Sequence, residues 1–500
     1  MHIFRVCCQL FITVLSSIFL LLQHRNGCIP NVDASSTTLP YPELMLGKPD
    51  PEDLASIRTS LLQPFISMAT CKTGEDTTDA EMRVYCAYSL PAVVLMFGGE
   101  NWENDGLKKC FLDLIGRRSS QGDDKTDGEA QDADASNSDY NPPLPVKRCL
   151  ASSIHAVAHI LGPDVVSKDS EFLCAFEQTF LRESDEAIRF NILKNCASFL
   201  AALHPGDGAG HRNHYLPVIH ATIMGEDVLG ASKKRSASSP GVLNWRQRDA
   251  VAKVLPDLIV LFSPSLNREY IWPILKASLS DSVSAVRENA EWSVPILLRN
   301  YSNASKKEAN TWIAEVVTWL KETLLETGSP NIGRTSFRRP KKQMVSSEGA
   351  FSKRQGYCRI IAAVALTMRI GENEDTATPD YEDGFPIEPF HKLSTSERNR
   401  FRSILLNDLL PPALEMTVDC VANVRLILTK SLKVMPQDIL NESRVEEVMN
   451  TLEEELMTWD VGDLPLGDLS LNGAPRGAGG MMGSIDPPEG VTMTNTMSAC

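Results

Sequence analysis

The sequence predicts an all-α protein built as a long array of paired helices, and three features carry that prediction. From about Glu81 to about Met457, stretches with apolar side chains at helical spacing alternate with short turns, and no stretch sustains the period-two alternation of a strand. A similar opening, an apolar residue beside an Arg, recurs in VKRCLASSIHAVAHILG (146–162), AIRFNILKNCASFLAAL (187–203), NWRQRDAVAKVLPDLIVLF (244–262), AVRENAEWSVPILL (285–298) and NVRLILTKSLKVM (423–435). Arg148 to Arg189 is 41 residues, and Arg246 to Arg287 is again 41.

That period is the one expected when two helices and two turns make a HEAT-type repeat, so the fold class is an α-α superhelix, a HEAT-repeat solenoid with flexible polar insertions. In each second helix one face is apolar: Leu150, Ile154, Val157, Ile160 and Leu161, then Val251, Leu255, Leu258, Ile259 and Phe262, then Val286, Ala290, Val294, Leu297 and Leu298. First helices are predicted in SEFLCAFEQTFL (170–181), REYIWPILKASL (268–279), NTWIAEVVTWLKETLL (310–325) and RFRSILLNDLLPPALEM (400–416). Asp185, Asp281 and Asp419 stand just before the second helices, where a short acidic side chain accepts from free N–H groups. From there Arg148, Arg189, Arg246, Arg287 and Arg425 are each expected to reach a neighbouring unit's Asp, forming a structural ladder.

Longer spacings coincide with polar insertions. Residues 117–143 carry seven acids, 227–241 contain KKRSASSP, 327–350 contain RTSFRRPKK and 371–385 are acidic again. Such segments bury too little apolar surface to order themselves and are expected as loops. The two basic ones read equally as nuclear-import or kinase signals and as solvated loops. The predicted organisation is an apolar leader at 1–30, a poorly defined and partly helical stretch at 31–80, the solenoid at 81–458 and a disordered Gly-, Met- and Pro-rich tail at 459–500.

The formal net charge of −15 argues against a general nucleic-acid binder. The twelve cysteines are scattered, and Cys149, Cys174, Cys196 and Cys358 sit on apolar faces with no C-x-x-C pair, which suits a reduced protein and neither a zinc ribbon nor a redox site. The N-terminus points elsewhere: Arg5 precedes an apolar run at 6–22 that reads as a signal peptide, a short membrane anchor or a misplaced gene start. Membrane association is expected only if that leader is genuine. Sequons at Asn300, Asn303 and Asn441 would accept glycans in a secreted chain.

No catalytic constellation outweighs a structural reading, and no cofactor or metal is expected. His155 and His159 have zinc-binding spacing, but HAVAH lacks the Glu of H-E-x-x-H and a packed or surface pair is favoured. His204, His211, His214 and His220 cluster around Gly206, Gly208 and Gly210, a glycine run that follows a helix rather than a strand and so does not read as a phosphate loop.

Several segments carry a resemblance. Ala87, Tyr88, Ser89, Leu90, Pro91, Ala92 and Val93 with Gly98 and Trp102 form one; Val146, Lys147 and Arg148 through Ser153, Ile154, His155 and Gly162 form another. Phe180, Leu181, Asp185, Glu186 and Arg189 follow, then Asn244, Trp245, Arg246 and Arg248, then Val286 with Arg287 and Asn423 with Val424 and Arg425. From about Arg83 to about Met435 the chain resembles the regulatory subunit 1 family of serine/threonine protein phosphatase 4, relatives of the HEAT-repeat scaffold subunit of protein phosphatase 2A. The resemblance implies a non-catalytic scaffold, cytoplasmic or nuclear, that binds a phosphatase catalytic subunit and positions phosphoprotein substrates. By analogy, the partner docks on turns inside the repeats, at Asp185, Glu186, Asn244, Trp245, Asp281, Ser282 and the segment Cys420 to Asn423, with Trp245 as aromatic anchor. A karyopherin-like or other adaptor solenoid and a membrane-tethered interaction protein are the alternative readings.

Overall fold

The computed structural model describes residues 58–70, 77–97, 99–116, 142–181, 183, 185–225, 243–325, 351–369 and 393–458. The leader, the tail, Gly98 and nearly all of the four polar insertions lie outside the described residues. Among the described residues there are helices and turns and no strand.

A π-helical turn, Arg58–Leu62, leads into α1 (Gln63–Thr70), which pairs with α2 (Thr77–Phe97). Next come α3 (Leu107–Leu114) with α4 (Leu144–Leu161), and α5 (Ser170–Cys174, continued by the π-helical Ala175–Leu181) with α6 (Glu186–Ala201). Then come α7 (Arg212–Met224), which packs on α6, and α8 (Trp245–Leu261), followed by α9 (Trp272–Leu279) paired with the broken helix α10 (Ser284–Glu291) and α11 (Ser293–Ser302). Last are α12 (Lys306–Leu324) with α13 (Phe351–Arg369), α14 (Thr395–Ser403) and α15 (Leu410–Leu414) with α16 (Ala422–Lys433), and the closing α17 (Ser443–Thr458). Each second helix packs on the next, α2 on α4, α4 on α6, α6 on α8, α8 on α10 and α11, these on α13, α13 on α16 and α16 on α17. The result is the all-α solenoid expected from the periodicity.

The core lies between the two helix layers. Leu150, Ile154, Val157 and Leu161 of α4 are buried, as are Val251, Leu255, Leu258, Ile259 and Phe262. A fully buried Leu, Ile or Phe contributes about 1.5–3 kcal/mol, so the stripe rather than helix propensity holds each repeat in place. The first-helix side is aromatic: Phe176 stacks on Phe199 with centroids 3.7 Å apart, and Phe172 packs edge-on to Trp102. Trp102 is buried and donates its indole N–H to Asp169 at 2.9 Å.

Two departures from the sequence reading have local causes. The helix expected at 285–298 breaks at Trp292 because the Pro295 ring would meet the carbonyl of Glu291 in an unbroken helix. The sequon at Asn300 sits in α11 with its amide Nδ2 donating to the carbonyls of Ile259 and Phe262 at 3.3 and 3.1 Å. Asn267, fully buried, donates to the same two carbonyls and so helps close the end of α8. Among the described residues no helix is long and apolar enough to cross a membrane.

Candidate partner-binding ridge

The turns joining first to second helices line up because the second helices pack consecutively, and a repeated ion-pair device builds them. At the α5–α6 turn, Asp185 accepts from the backbone N–H of Ala187 and Ile188 at 3.1 and 3.0 Å, capping α6. Its two oxygens also receive Nε and Nη2 of Arg148 from the preceding second helix, at 3.1 and 2.7 Å. At the α9–α10 turn Asp281 accepts from the Val283 N–H at 2.8 Å and takes Nε and Nη2 of Arg248 at 2.5 and 3.1 Å. At the turn before α16 Asp419 accepts from Val421 N–H at 2.9 Å and takes Nε and Nη2 of Arg354 at 2.6 and 3.1 Å.

The ladder is therefore laid out differently from the sequence expectation. Arg246 does not face Asp281; it lies exposed with its guanidinium 4.6 Å from the Trp245 ring centroid, and Arg248 holds the carboxylate. Helix α8 is capped by Asn244 through a capping box with Gln247, so the fourth residue after the cap is Arg248, the equivalent of Arg189 after Asp185; it bonds back to the Leu243 carbonyl at 2.8 Å and also reaches the next Asp. The 41-residue spacing of Arg246 and Arg287 matched the wrong arginine. Arg189 and Arg287 do not reach a neighbour's Asp either. Each turns back six residues onto its own turn, Arg189 onto the Glu183 carbonyl at 3.0 Å and Arg287 onto the Asp281 carbonyl at 2.6 Å. Arg425 does both, bonding the Asp419 carbonyl and forking onto Glu455 at 3.1 and 2.6 Å.

Repeats consequently occur in doublets. In each, the second helix that follows a long insertion supplies the forked Arg (148, 248 or 354), and the short Asp turn of the next repeat receives it. Arg354 escaped the sequence reading because KRQGY lacks the apolar-Arg opening; the Asp419 turn with no assigned partner was the available signal. Between the first two doublets the link is polar and uncharged on one side: Asn244 Nδ2 donates to the Glu186 carboxylate, and Gln247 Nε2 donates to the Glu186 carbonyl at 3.1 Å.

At Asp185 and Asp281 the arginine pulls the carboxyl down. Arg148 is the main cause at Asp185. At Asp281 burial pushes upward, but Arg248 and the Val283 amide outweigh it and the net direction is down. A carboxyl depressed in the folded state stabilises above its unfolded value and loses that contribution as pH falls through the folded one. The gap in melting temperature between the native chain and Asp281→Asn should thus be widest near neutrality and close below about pH 4, read by thermal melts across pH.

Of the residues assigned to partner binding, Asp185 and Asp281 are committed to caps and ion pairs, and Glu186 and Asn244 to each other. Trp245, 42% exposed, is left facing solvent, with Ser282 and Asn423. The structure adds further exposed apolar groups on the same turns, Leu144 at 41%, Phe351 at 40% and Val418 at 83%, beside exposed Cys420. Leu144, Trp245 and Phe351 each begin a second helix that follows a long insertion.

Two histidines hydrogen-bond across neighbouring elements. His159 Nε2 lies 3.0 Å from Ser198 Oγ, and His204 Nε2 3.0 Å from Asp164 Oδ1. Among the described residues no three His, Cys, Asp or Glu side chains come together as a metal site.

No protein-family profile matches the chain. Over 228 residues, 46% of its length, it is 31% identical to serine/threonine-protein phosphatase 4 regulatory subunit 1 of Homo sapiens, and equally so to the Mus musculus and Rattus norvegicus proteins. The match covers 19% of each, so the chain spans less than a fifth of the curated relatives it matches. The family resemblance is borne out over that segment, which is shorter than the stretch from Arg83 to Met435 on which the sequence reading placed it.

Proposed function

We propose that the chain is a non-catalytic regulatory scaffold of a serine/threonine phosphatase of the phosphatase 4 kind, holding the catalytic subunit on the ridge of intra-repeat turns. The observation that carries this is the 31% identity over 228 residues to a regulatory subunit of that enzyme. The ridge supports it: the Arg–Asp forks fix the turns rigidly, and a rigid row of exposed Trp245, Phe351 and Val418 suits a protein partner. In this reading the catalytic subunit supplies the metals and the nucleophilic water, and the solenoid supplies position.

The test is capture of a phosphatase catalytic subunit by the tagged full-length chain from its own cells, followed by titration of the purified pair. Trp245→Ala is expected to weaken binding by about 2 kcal/mol, roughly thirtyfold, as loss of an aromatic anchor does. Absence of any phosphatase catalytic subunit from the captured material overturns the proposal.

A further inference from the structure

Beside the ridge, the exposed stripes of α2, α4 and α6 lie next to one another, because these helices pack in succession. The stripe of α4 carries Arg148, Ser152, His155 and His159, and that of α6 carries Asn191, Lys194 and Ser198. His159 meets Ser198 across the groove at an offset of 39 residues, and the same offset sets His155 opposite Lys194.

Carboxylates are sparse on this surface: Glu81 flanks Tyr85 on α2, and Asp257 of α8 acts on α6 near Cys196. The α4 sequence LPVKRCLASSIHAVAHIL contains no acid. In α6, EAIRFNILKNCASFLA, the sole acid is Glu186 at the first position, where Asn244 engages it. At that end Asp185 is taken up by Arg148 and Glu183 by Lys147. Within a chain of formal net charge −15 this is a local reversal of sign. Lys194 is exposed and makes no ion pair or hydrogen bond among the described residues. His155 is half-buried in the stripe: burial first, then the neighbouring His159 and Lys194, hold its pKa down to about 4, and its Nδ1 has no partner. On the adjoining α2, Tyr85 and Tyr88 are 48% and 37% exposed.

We propose that this stripe binds a phosphorylated serine or threonine in an extended segment of a protein substrate, with Lys194 supplying the charge and Asn191, Ser198 and His159 the hydrogen bonds. Asn191, Lys194 and Ser198 lie at i, i+3 and i+7, so all three project from one face of α6. A phosphate has three acceptor oxygens and nearly two charges to satisfy them, where a carboxylate has two oxygens and one charge. From α6 to α2 is two helix spacings, about 16–20 Å, which an extended chain crosses in about five or six residues. Tyr85 and Tyr88 then receive an apolar side chain at that distance from the phosphate. The choice of a phosphoprotein rests on the phosphatase-scaffold reading; the binding itself does not need the phosphatase.

The experiment titrates the full chain into a fluorescent twelve-residue peptide carrying one phosphoserine and a leucine six residues away, with its unphosphorylated twin alongside, read by anisotropy. The phosphorylated peptide should bind at least about tenfold tighter, and Lys194→Glu, a change at an exposed position, should erase that preference. Tyr88→Ser should weaken both peptides while leaving the preference intact. Equal affinity for the two peptides overturns the proposal, as does a preference that survives Lys194→Glu, or binding to anionic phospholipid vesicles in place of the phosphopeptide. A chain that captures a catalytic subunit but ignores phosphate sinks this proposal alone, and one that prefers phosphate but captures no phosphatase sinks the scaffold reading alone.

Discussion

Arg354→Ala is expected to lower the stability of the α13–α16 junction by about 3–5 kcal/mol, the range found when one partner of a buried ion pair is removed. The side chains of Arg354 and Asp419 are 5% and 3% exposed, and both guanidinium bonds run to the carboxylate. Removing the arginine leaves a charge that water cannot reach, held by the Val421 N–H alone among its side-chain bonds. Because an array of repeats responds to the loss of one interface, the effect should be local. Amides of α13 and α16 should exchange faster with deuterium while those of α4 and α6 keep their protection. Arg354→Met combined with Asp419→Asn provides the internal control. Methionine fills the volume, asparagine keeps an oxygen for Val421, and no charge remains buried, so most of the lost protection should return. A single variant with unchanged exchange at α16 would show that the pair does not hold the junction.

How far the sequence carried the structure can be judged at these turns. Apolar periodicity sufficed for the helices and their pairing, since one stripe per helix leaves a single way to stack. The Asp before each short turn was also legible, because capping requires that residue type at that place. Which arginine answers which Asp was not. Arg246 and Arg248 are two residues apart, and their faces differ by more than half a turn; only the position of the Asn244 cap decides between them. Arg354 lay hidden because KRQGY opens α13 without the apolar residue beside the Arg that marks the other second helices. Assignment of Asp185 and Asp281 to a partner failed to weigh that a capping carboxylate already forked by Arg has little left to offer. The exposure of Trp245 was legible because an indole at a helix start has no use in the core. The basic stripe of α4 and α6 was not, since it depends on two helices 39 residues apart in sequence facing the same way.

Arg359→Ala should be as damaging as Arg354→Ala, with a pH dependence that identifies its cause. Arg359 forks onto Glu291 at 2.6 and 2.9 Å, and Glu291 is 3% exposed, while Glu288 lies 3.8 Å away as a weaker second contact. Burial pushes the Glu291 carboxyl up even with Arg359 beside it. Without Arg359 only the more distant Arg287 opposes that burial. A carboxyl raised in the folded state stabilises below its unfolded value and destabilises as pH rises through the folded one, so the penalty should be about 3–5 kcal/mol near pH 8 and shrink toward pH 5. A pH-independent loss would instead mean missing packing. Gly356→Ala probes the same carboxylate from the other side. A Cβ there would stand 2.8 Å from Glu291 Oε1, closer than the carboxylate can tolerate while it remains forked to Arg359. Glycine to alanine inside a helix ordinarily gains about 1 kcal/mol. Here it should cost about 1–3 kcal/mol, as overpacking does, and the sign itself is the test, read from urea unfolding followed at α13. If alanine stabilises, the carboxylate has room to move, and the fork between α10 and α13 is weaker than its geometry implies.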